Sequence, residues 1–167
     1  YKAGAAQEIN GHSGVAHFLE HLLFKGTNHL TRPLEAGEFS KIVKSLGGED
    51  NAFTSYDYTA YYQTIAKEHL NTVMQMEADR MRNAIAPESH VISERDVVME
   101  ERSQRTDNNP QARFSEQMQA TLFPGHPYGR PIIGWKDEIL TMTSTHTNAF
   151  YNHCLLYTSD AADEEDS

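Results

Sequence analysis

Apolar side chains recur at helical spacing along most of the chain, with one interruption by alternating residues. A first helix is predicted from Ser13, a residue type that caps helix N-termini, to Lys25, with Gly26 just beyond its end. Residues 51–54 and 59–65 are rich in β-branched and aromatic side chains on either side of a turn-forming stretch, which predicts a β-hairpin. The apolar periodicity predicts further helices at residues 34–46, 67–84, 87–105, 111–122 and 144–153.

Helices interrupted by a hairpin, without regular alternation of strand and helix, are typical of an α+β fold. We therefore expect an antiparallel or mixed sheet flanked by helices. Residues 126–134, punctuated by Pro127, Gly129 and Pro131, are predicted to form an ordered loop. The 167 residues are enough for one domain with a hydrophobic core.

The composition narrows the range of partners. Hydrophobic residues make up 38% and charged residues 23% of the chain, as in ordinary globular domains. No apolar run approaches the ~20 residues that a membrane-spanning helix needs. The formal net charge of −10 argues against a nucleic-acid partner. Cys154 is the single cysteine, which excludes an internal disulfide and a cysteine-based zinc site.

The first predicted helix carries His17-Phe18-Leu19-Glu20-His21, an H-x-x-E-H pattern. Histidines four residues apart project from one face of a helix, at a separation that suits one tetrahedral zinc ion. Glu20 lies near that face and could take a proton from metal-activated water, which is the H-E-x-x-H arrangement in reverse order. The alternative is a pair of histidines at the core edge of an amphipathic helix.

A catalytic zinc site needs a third protein ligand, and the fourth predicted helix offers one. Glu94 and Glu101 are seven residues apart, almost two turns, so both carboxylates share a stripe with Val91 and Val98. A carboxylate on an apolar stripe needs a cation or a partner. The neighbouring Glu100 lies about 100° away around the helix, so the register favours Glu101 as the ligand. The alternative is that all these acids form a solvated charged face.

Four segments, in the same order, resemble the pitrilysin/insulinase family of zinc peptidases, which includes the mitochondrial processing peptidase and its bacterial relatives. Residues 13–27 (SGVAHFLEHLLFKGT) resemble the active-site helix of that family, and residues 47–55 (GGEDNAFTS) resemble its substrate-binding strand. Residues 94–101 (ERDVVMEE) resemble its downstream glutamate segment, and residues 126–134 (HPYGRPIIG) resemble a family loop. The resemblance covers about residues 1–153.

The resemblance implies a role for each residue of the motif. His17, His21 and Glu101 would bind Zn²⁺. Glu20 would be the general base that activates water for attack on a peptide carbonyl. Glu94 would be a second acidic residue at the catalytic centre, which orients His21 or the metal site.

The resemblance also implies how the substrate binds and what the protein does. Asn51, Ala52 and Phe53 match the edge strand on which a substrate peptide would bind by β-augmentation; an ordinary hairpin strand is the alternative. The implied function is that of a zinc-dependent endopeptidase acting on peptides or presequences. The alternative is a non-catalytic structural or presenting subunit of the same family. The compartment stays open between bacterial periplasm and cytoplasm.

Members of the family have a strand before the segment that begins here at Tyr1, and a second homologous half or subunit that closes over the peptide. The resemblance therefore implies that residues 1–153 are part of the N-terminal catalytic half of a two-half metallopeptidase, and we expect this fragment to be inactive alone. Residues 154–167 instead resemble the translation of an adapter used in DNA library preparation, so we expect a non-native tail. A natural acidic disordered tail is the alternative.

Overall fold

The computed structural model describes residues 1–28, 33–84 and 86–155. Its two strands are β1 (Glu49–Thr54) and β2 (Thr59–Thr64). Short 3₁₀ turns lie at Ala5–Gln7, Lys67–His69 and Pro127–Gly129, and π-helical turns lie at Ser103–Asp107 and Tyr151–Leu155. The α-helices are α1 (Val15–Leu22), α2 (Glu38–Ser45), α3 (Leu70–Asn83), α4 (Glu88–Arg102), α5 (Pro110–Leu122), α6 (Lys136–Leu140) and α7 (Ser144–Phe150).

The predicted hairpin is confirmed, and with it the α+β class. Strands β1 and β2 pair antiparallel, with Asn51 opposite Tyr62 and Ala52 opposite Tyr61. Exposed and half-buried residues alternate along β1, as expected for a strand with one face against the helices. Within the described residues the sheet consists of these two antiparallel strands.

The main hydrophobic core surrounds α1, the helix that carries the H-x-x-E-H pattern. This helix is apolar around most of its circumference, which is typical of a helix buried inside a domain. Val91 and Val98 are fully buried against it, which confirms that one stripe of α4 faces inward. The core is completed by Ile139, Met142, Phe150 and Leu155 from the C-terminal segments.

A second cluster joins α2 and α3 behind the hairpin. The cluster contains Phe39, Val43, Val73 and Met76. Beside it lies the side chain of Arg80, which is 1% exposed and forms an ion pair with Glu77 at 2.5 Å. The Arg80 guanidinium lies over the rings of Phe39 (4.6 Å) and Tyr61 (4.4 Å). These cation–π contacts connect α3 to α2 and to β2, the strand that pairs with the predicted substrate strand.

The ends of α1 differ from the prediction because tertiary contacts replace local capping. Ser13 was the wrong N-cap: its hydroxyl accepts a hydrogen bond from the Trp135 N–H (2.9 Å), and Gly14, at φ +85°, is the N-cap. The helix ends at Leu22. Gly26 lies beyond it, so close to the Leu34 carbonyl that a Cβ would be 2.2 Å from its oxygen.

Other helices differ in their bounds from those predicted from the sequence. Helix α2 begins at Glu38, four residues later than predicted. The third predicted helix begins in a 3₁₀ turn, the fourth and the last end in π-helical turns, and the fifth matches α5 to within one residue. Helix α6 was missed because five residues are too few for a periodic pattern. Cys154 and Leu155 belong to the last π-helical turn, whereas residues 156–167 of the predicted tail lie outside the described residues. None of the described helices combines the length and hydrophobicity of a membrane span.

Candidate metal centre

Three side chains from α1 and α4 converge on one point. His17 Nε2 lies 3.5 Å and His21 Nε2 lies 3.2 Å from the same oxygen, Oε2 of Glu101. One ligand atom from each residue lies within 4.8 Å of the others. Ligand atoms about 2.1 Å from a tetrahedral zinc ion are separated by roughly 3.4 Å, so the donor set fits such an ion.

The electrostatics of the centre favour positive charge. Hydrogen bonds from His17 and His21 hold the pKa of Glu101 well below its usual range. Burial alone would lower the pKa of His21, but hydrogen bonds to Glu101 and Glu94 outweigh it and raise the pKa to about 9. The carboxylates of Glu101 and Glu94 therefore favour positive charge on the side chains between them.

Glu94 lies directly behind His21. The residue is 4% exposed, and its Oε1 lies 2.9 Å from His21 Nδ1. A proton on Nδ1 is shared with this carboxylate and leaves Nε2 as the ligand atom facing Glu101. Burial alone would raise the pKa of Glu94. The hydrogen bonds from His21 and Lys25 together have the larger effect and lower this pKa below its ordinary value, so the group is an anion. This is the position expected for a residue that orients a histidine ligand.

Two cations that the sequence analysis missed accompany these carboxylates. Lys25 forms an ion pair with Oε2 of Glu94. Arg105, in the π-helical turn after α4, lies 2.8 Å from Oε1 of Glu101, the oxygen that does not face the histidines. Arg105 is spaced i, i+4 from Glu101, a signal that the sequence did contain. The contact of Lys25 with Glu94 joins segments that are distant in sequence, so no local sequence pattern indicates it.

Glu20 lines an open cleft of about 1070 Å³ next to the three converging side chains. The hydroxyl of Thr54, at the end of β1, donates a hydrogen bond to Glu20 Oε2 at 2.5 Å. Thr54 was also missed, since the bond joins a helix to a strand that is distant in sequence. It fixes one carboxylate oxygen and leaves Oε1 available to other partners.

The predicted substrate residues border the same cleft. Asn51, Ala52 and Phe53 of β1 line it together with His17, Glu20 and Glu101. Among the described residues β1 pairs with β2 alone. The N–H of Ala52 donates to the side-chain oxygen of its neighbour Asn51 (2.8 Å). The structure thus brings the metal-binding and strand residues predicted from the sequence to one cleft.

Two carboxyl groups, one buried (Glu8) and one partly buried (Glu138), hold the N-terminus of α1. Glu8 accepts hydrogen bonds from the N–H groups of Gly14 and Ala16, both at 3.0 Å, and Glu138 accepts one from the Ser13 N–H at 2.6 Å. Burial raises the pKa of Glu8 to about 8, despite those two backbone donors. The helix that carries His17 is therefore capped by side chains from outside it.

Comparison with known proteins shows which family the chain is related to. The model of the insulinase family, peptidase family M16, matches residues 1–136. The zinc protease PqqE of Helicobacter pylori is 40% identical over 157 residues, which cover 94% of this chain and 34% of the relative. An uncharacterized zinc protease of Mycobacterium leprae is 38% identical over 139 residues, or 83% of this chain and 30% of the relative. The chain thus spans about a third of these relatives.

Solved structures show the same fold. A crystal structure of a protease from Helicobacter pylori matches with a TM-score of 0.83 and 38% identity, over 90% of this chain and 35% of that one. The first half of the periplasmic protease PqqL from Escherichia coli matches with a TM-score of 0.75 and 28% identity, over 90% of this chain and 32% of that one. Pitrilysin, at 20% identity and a TM-score of 0.72, shares the fold. The chain therefore belongs to the insulinase family of peptidases, peptidase family M16.

Proposed function

We propose that the protein is a zinc-dependent endopeptidase and that this chain carries its catalytic centre. The observation that supports this most directly is the convergence of His17 Nε2, His21 Nε2 and Glu101 Oε2 beside Glu20. Membership of a peptidase family supports hydrolysis of peptide bonds. The activity is proposed for the whole protein, since the chain spans about a third of the relatives it matches.

In this proposal His17, His21 and Glu101 hold the zinc ion. Two imidazoles and one carboxylate leave one position of a tetrahedral ion open, as in catalytic zinc sites. When bound, zinc would lower the pKa of a coordinated water and polarise a peptide carbonyl. Glu94 acts behind His21, where it holds the Nδ1 proton and fixes the direction of Nε2.

Glu20 moves the proton in the proposed reaction. Its Oε2 is held by the Thr54 hydroxyl, so Oε1 is the oxygen that accepts a proton from the attacking water. The same oxygen returns the proton to the amine nitrogen that leaves when the peptide bond breaks. Thr54 limits the rotation of the carboxylate, so that the base stays directed into the cleft.

The peptide substrate, a presequence among the candidates, binds along β1 in this proposal. Backbone pairing with residues 51–53 would give affinity with little demand on sequence. A substrate carbonyl that uses the Ala52 N–H must displace the Asn51 amide, which then becomes free to bond the peptide backbone. A second homologous half or subunit would close over the peptide from the other side.

Exchange of Glu20 for glutamine tests the proposal in the protein encoded by the complete reading frame that contains this chain. We expect Glu20→Gln to keep its zinc and to cleave quenched fluorescent peptides about 10²–10⁴-fold more slowly, the usual contribution of a general base. Glu68→Gln, an exposed carboxylate in the turn before α3, is the matched control. Unchanged turnover in Glu20→Gln would remove Glu20 from the mechanism.

The same experiment separates the peptidase from the non-catalytic alternative. A presenting subunit would cleave none of the peptides, with or without the substitution. We also propose that the 167-residue chain alone has little activity, because it lacks about two thirds of the length of its relatives. Residues 154–167 are proposed to be non-native, and genomic sequence beyond the codon for His153 decides this.

A further inference from the structure

Lys25 lies close to the metal centre without touching the metal-binding groups. It follows α1, and its backbone N–H donates to the Leu22 carbonyl (2.9 Å), so the last turn of the helix fixes where its side chain starts. Its side chain lines a second cavity, of about 480 Å³, that shares Glu20 and His21 with the main cleft. The Lys25 ammonium pairs with Oε2 of Glu94, which lines the same cavity.

The charge on Glu94 explains why this contact matters. The Glu94 side chain is 5% exposed, and a carboxylate removed from water needs a partner for each oxygen. One oxygen faces His21 Nδ1 at 2.9 Å, and the other faces Lys25. Lys25 is therefore the partner of the second oxygen of Glu94 and holds the orientation of its carboxylate from the side away from His21.

We propose that Lys25 is a positioning residue for the metal site, acting through Glu94 on His21. The ammonium holds Oε2, so that Oε1 stays against His21 Nδ1 and Nε2 stays directed at Glu101. Without the ammonium, Glu94 loses the partner of one oxygen and is free to rotate away from the imidazole. This inference rests on the proposed function, because it assigns Lys25 to the zinc site of the peptidase.

Zinc affinity tests the inference, measured by competition with a chromophoric chelator in the protein encoded by the complete reading frame. Substitutions of residues that support metal ligands typically weaken binding by about 10–100-fold, and we expect a loss in this range for Lys25→Met. Lys25→Arg retains the cation and should bind zinc nearly as well as the wild type. Lys41→Met, on the exposed side of α2, is the matched control. If Lys25→Met does not fold, Lys25→Gln provides the neutral side chain.

Two further measurements distinguish positioning from a purely structural ion pair. If Lys25 acts through Glu94, the double variant Lys25→Met/Glu94→Gln should bind zinc no more weakly than Glu94→Gln alone. In the zinc-loaded protein, the Nδ1 proton of His21 should exchange with solvent faster in Lys25→Met than in the wild type or Lys25→Arg, as seen by ¹H–¹⁵N NMR of the imidazole.

These measurements distinguish a failure of the positioning role of Lys25 from a failure of the proposed peptidase function. A Lys25→Met protein that melts at a lower temperature but binds zinc as tightly as the wild type would overturn the positioning role and leave the peptidase proposal intact. Additive losses in the double variant would overturn action through Glu94. A wild-type protein that does not bind zinc would overturn the proposed function, and the role of Lys25 with it.

Discussion

His17, His21 and Glu101 occupy the helical side of the cleft, whereas Asn51 and Phe53 lie on the strand that forms its other side. His17 is 8% exposed, His21 contacts Glu94, which is itself paired with Lys25, and Glu101 contacts Arg105. Phe53 is 43% exposed, and the strand offers its backbone and a single side-chain amide. The helical side is thus built from partly buried charges, and the strand side from exposed hydrogen-bonding groups.

The two constructions predict different responses to substitution. A partly buried charge that loses its partner is still removed from water, and nothing then compensates the free energy of its desolvation. One substitution on the helical side therefore affects the whole centre. An exposed backbone edge makes several weak bonds to a peptide, and each can be replaced by water. We therefore expect large, all-or-none effects on the helical side and small, graded effects on the strand side.

The largest effect is expected from Glu101, whose neutral isostere should remove the metal. Glu101→Gln replaces the oxygen that faces both histidines with an amide, and we expect zinc affinity to fall by more than about 100-fold, beyond the range for supporting residues. Zinc content after dialysis and competition with a chelator measure this loss.

Glu100→Gln is the matched control for this substitution. Glu100 is exposed and accepts a hydrogen bond from Gln104 at 2.7 Å, and it is not among the three converging residues. Its zinc affinity should equal that of the wild type. A larger loss in Glu100→Gln than in Glu101→Gln would reverse the choice between the two glutamates.

The choice of His17 with His21, and of Glu101 over Glu100, could be predicted because each depends on the register of a single helix. Residues four apart on α1 and seven apart on α4 share a face whatever surrounds the helix. The hairpin was predicted for the same reason, since its alternation is local. The family resemblance then joined these local patterns into one site.

The contacts that support the site could not be predicted from such patterns. Lys25 with Glu94, and Thr54 with Glu20, join segments that only the fold brings together. Ser13 was assigned as N-cap because a local rule was applied where the fold supplies Glu8 instead. Register is a property of one helix, whereas these partners depend on packing between elements.

A smaller effect is expected at the N-terminus of α1, where Glu8 should make stability depend on pH. Its pKa is about 8 in the folded chain against 4.5 for the ordinary side chain, so the folded state binds the proton more tightly. The contribution of Glu8 is therefore complete below about pH 4.5 and is lost as the pH rises through 8. Two charged groups also act on the pKa of Glu8: Arg130 favours its anion, and Glu138 opposes it.

Glu8→Gln tests this linkage because glutamine does not titrate. The variant loses an accepted backbone hydrogen bond and should be less stable by about 1 kcal/mol at low pH. Its free energy of unfolding, measured by denaturant titration, should fall less between pH 5 and 8 than that of the wild type. Glu35→Gln, an exposed carboxylate before α2, should keep the wild-type slope. An unchanged slope in Glu8→Gln would mean that another group titrates in this window.

The smallest effect is expected on the strand side, at Asn51. Its amide oxygen accepts from the Ala52 N–H, and a bound peptide would release the amide to bond the peptide backbone. Asn51→Ala removes that bond, which is worth about 0.5–1.5 kcal/mol, so we expect KM to rise by at most about 10-fold while kcat changes little. Steady-state cleavage of a quenched peptide measures both, and Thr64→Ala, opposite Glu49 at the far end of the hairpin, is the control. A fall in KM would show that Asn51 only blocks the edge. A loss in kcat as large as that of Glu20→Gln would mean that the strand side takes part in the chemistry, and that the contrast between the two sides does not hold.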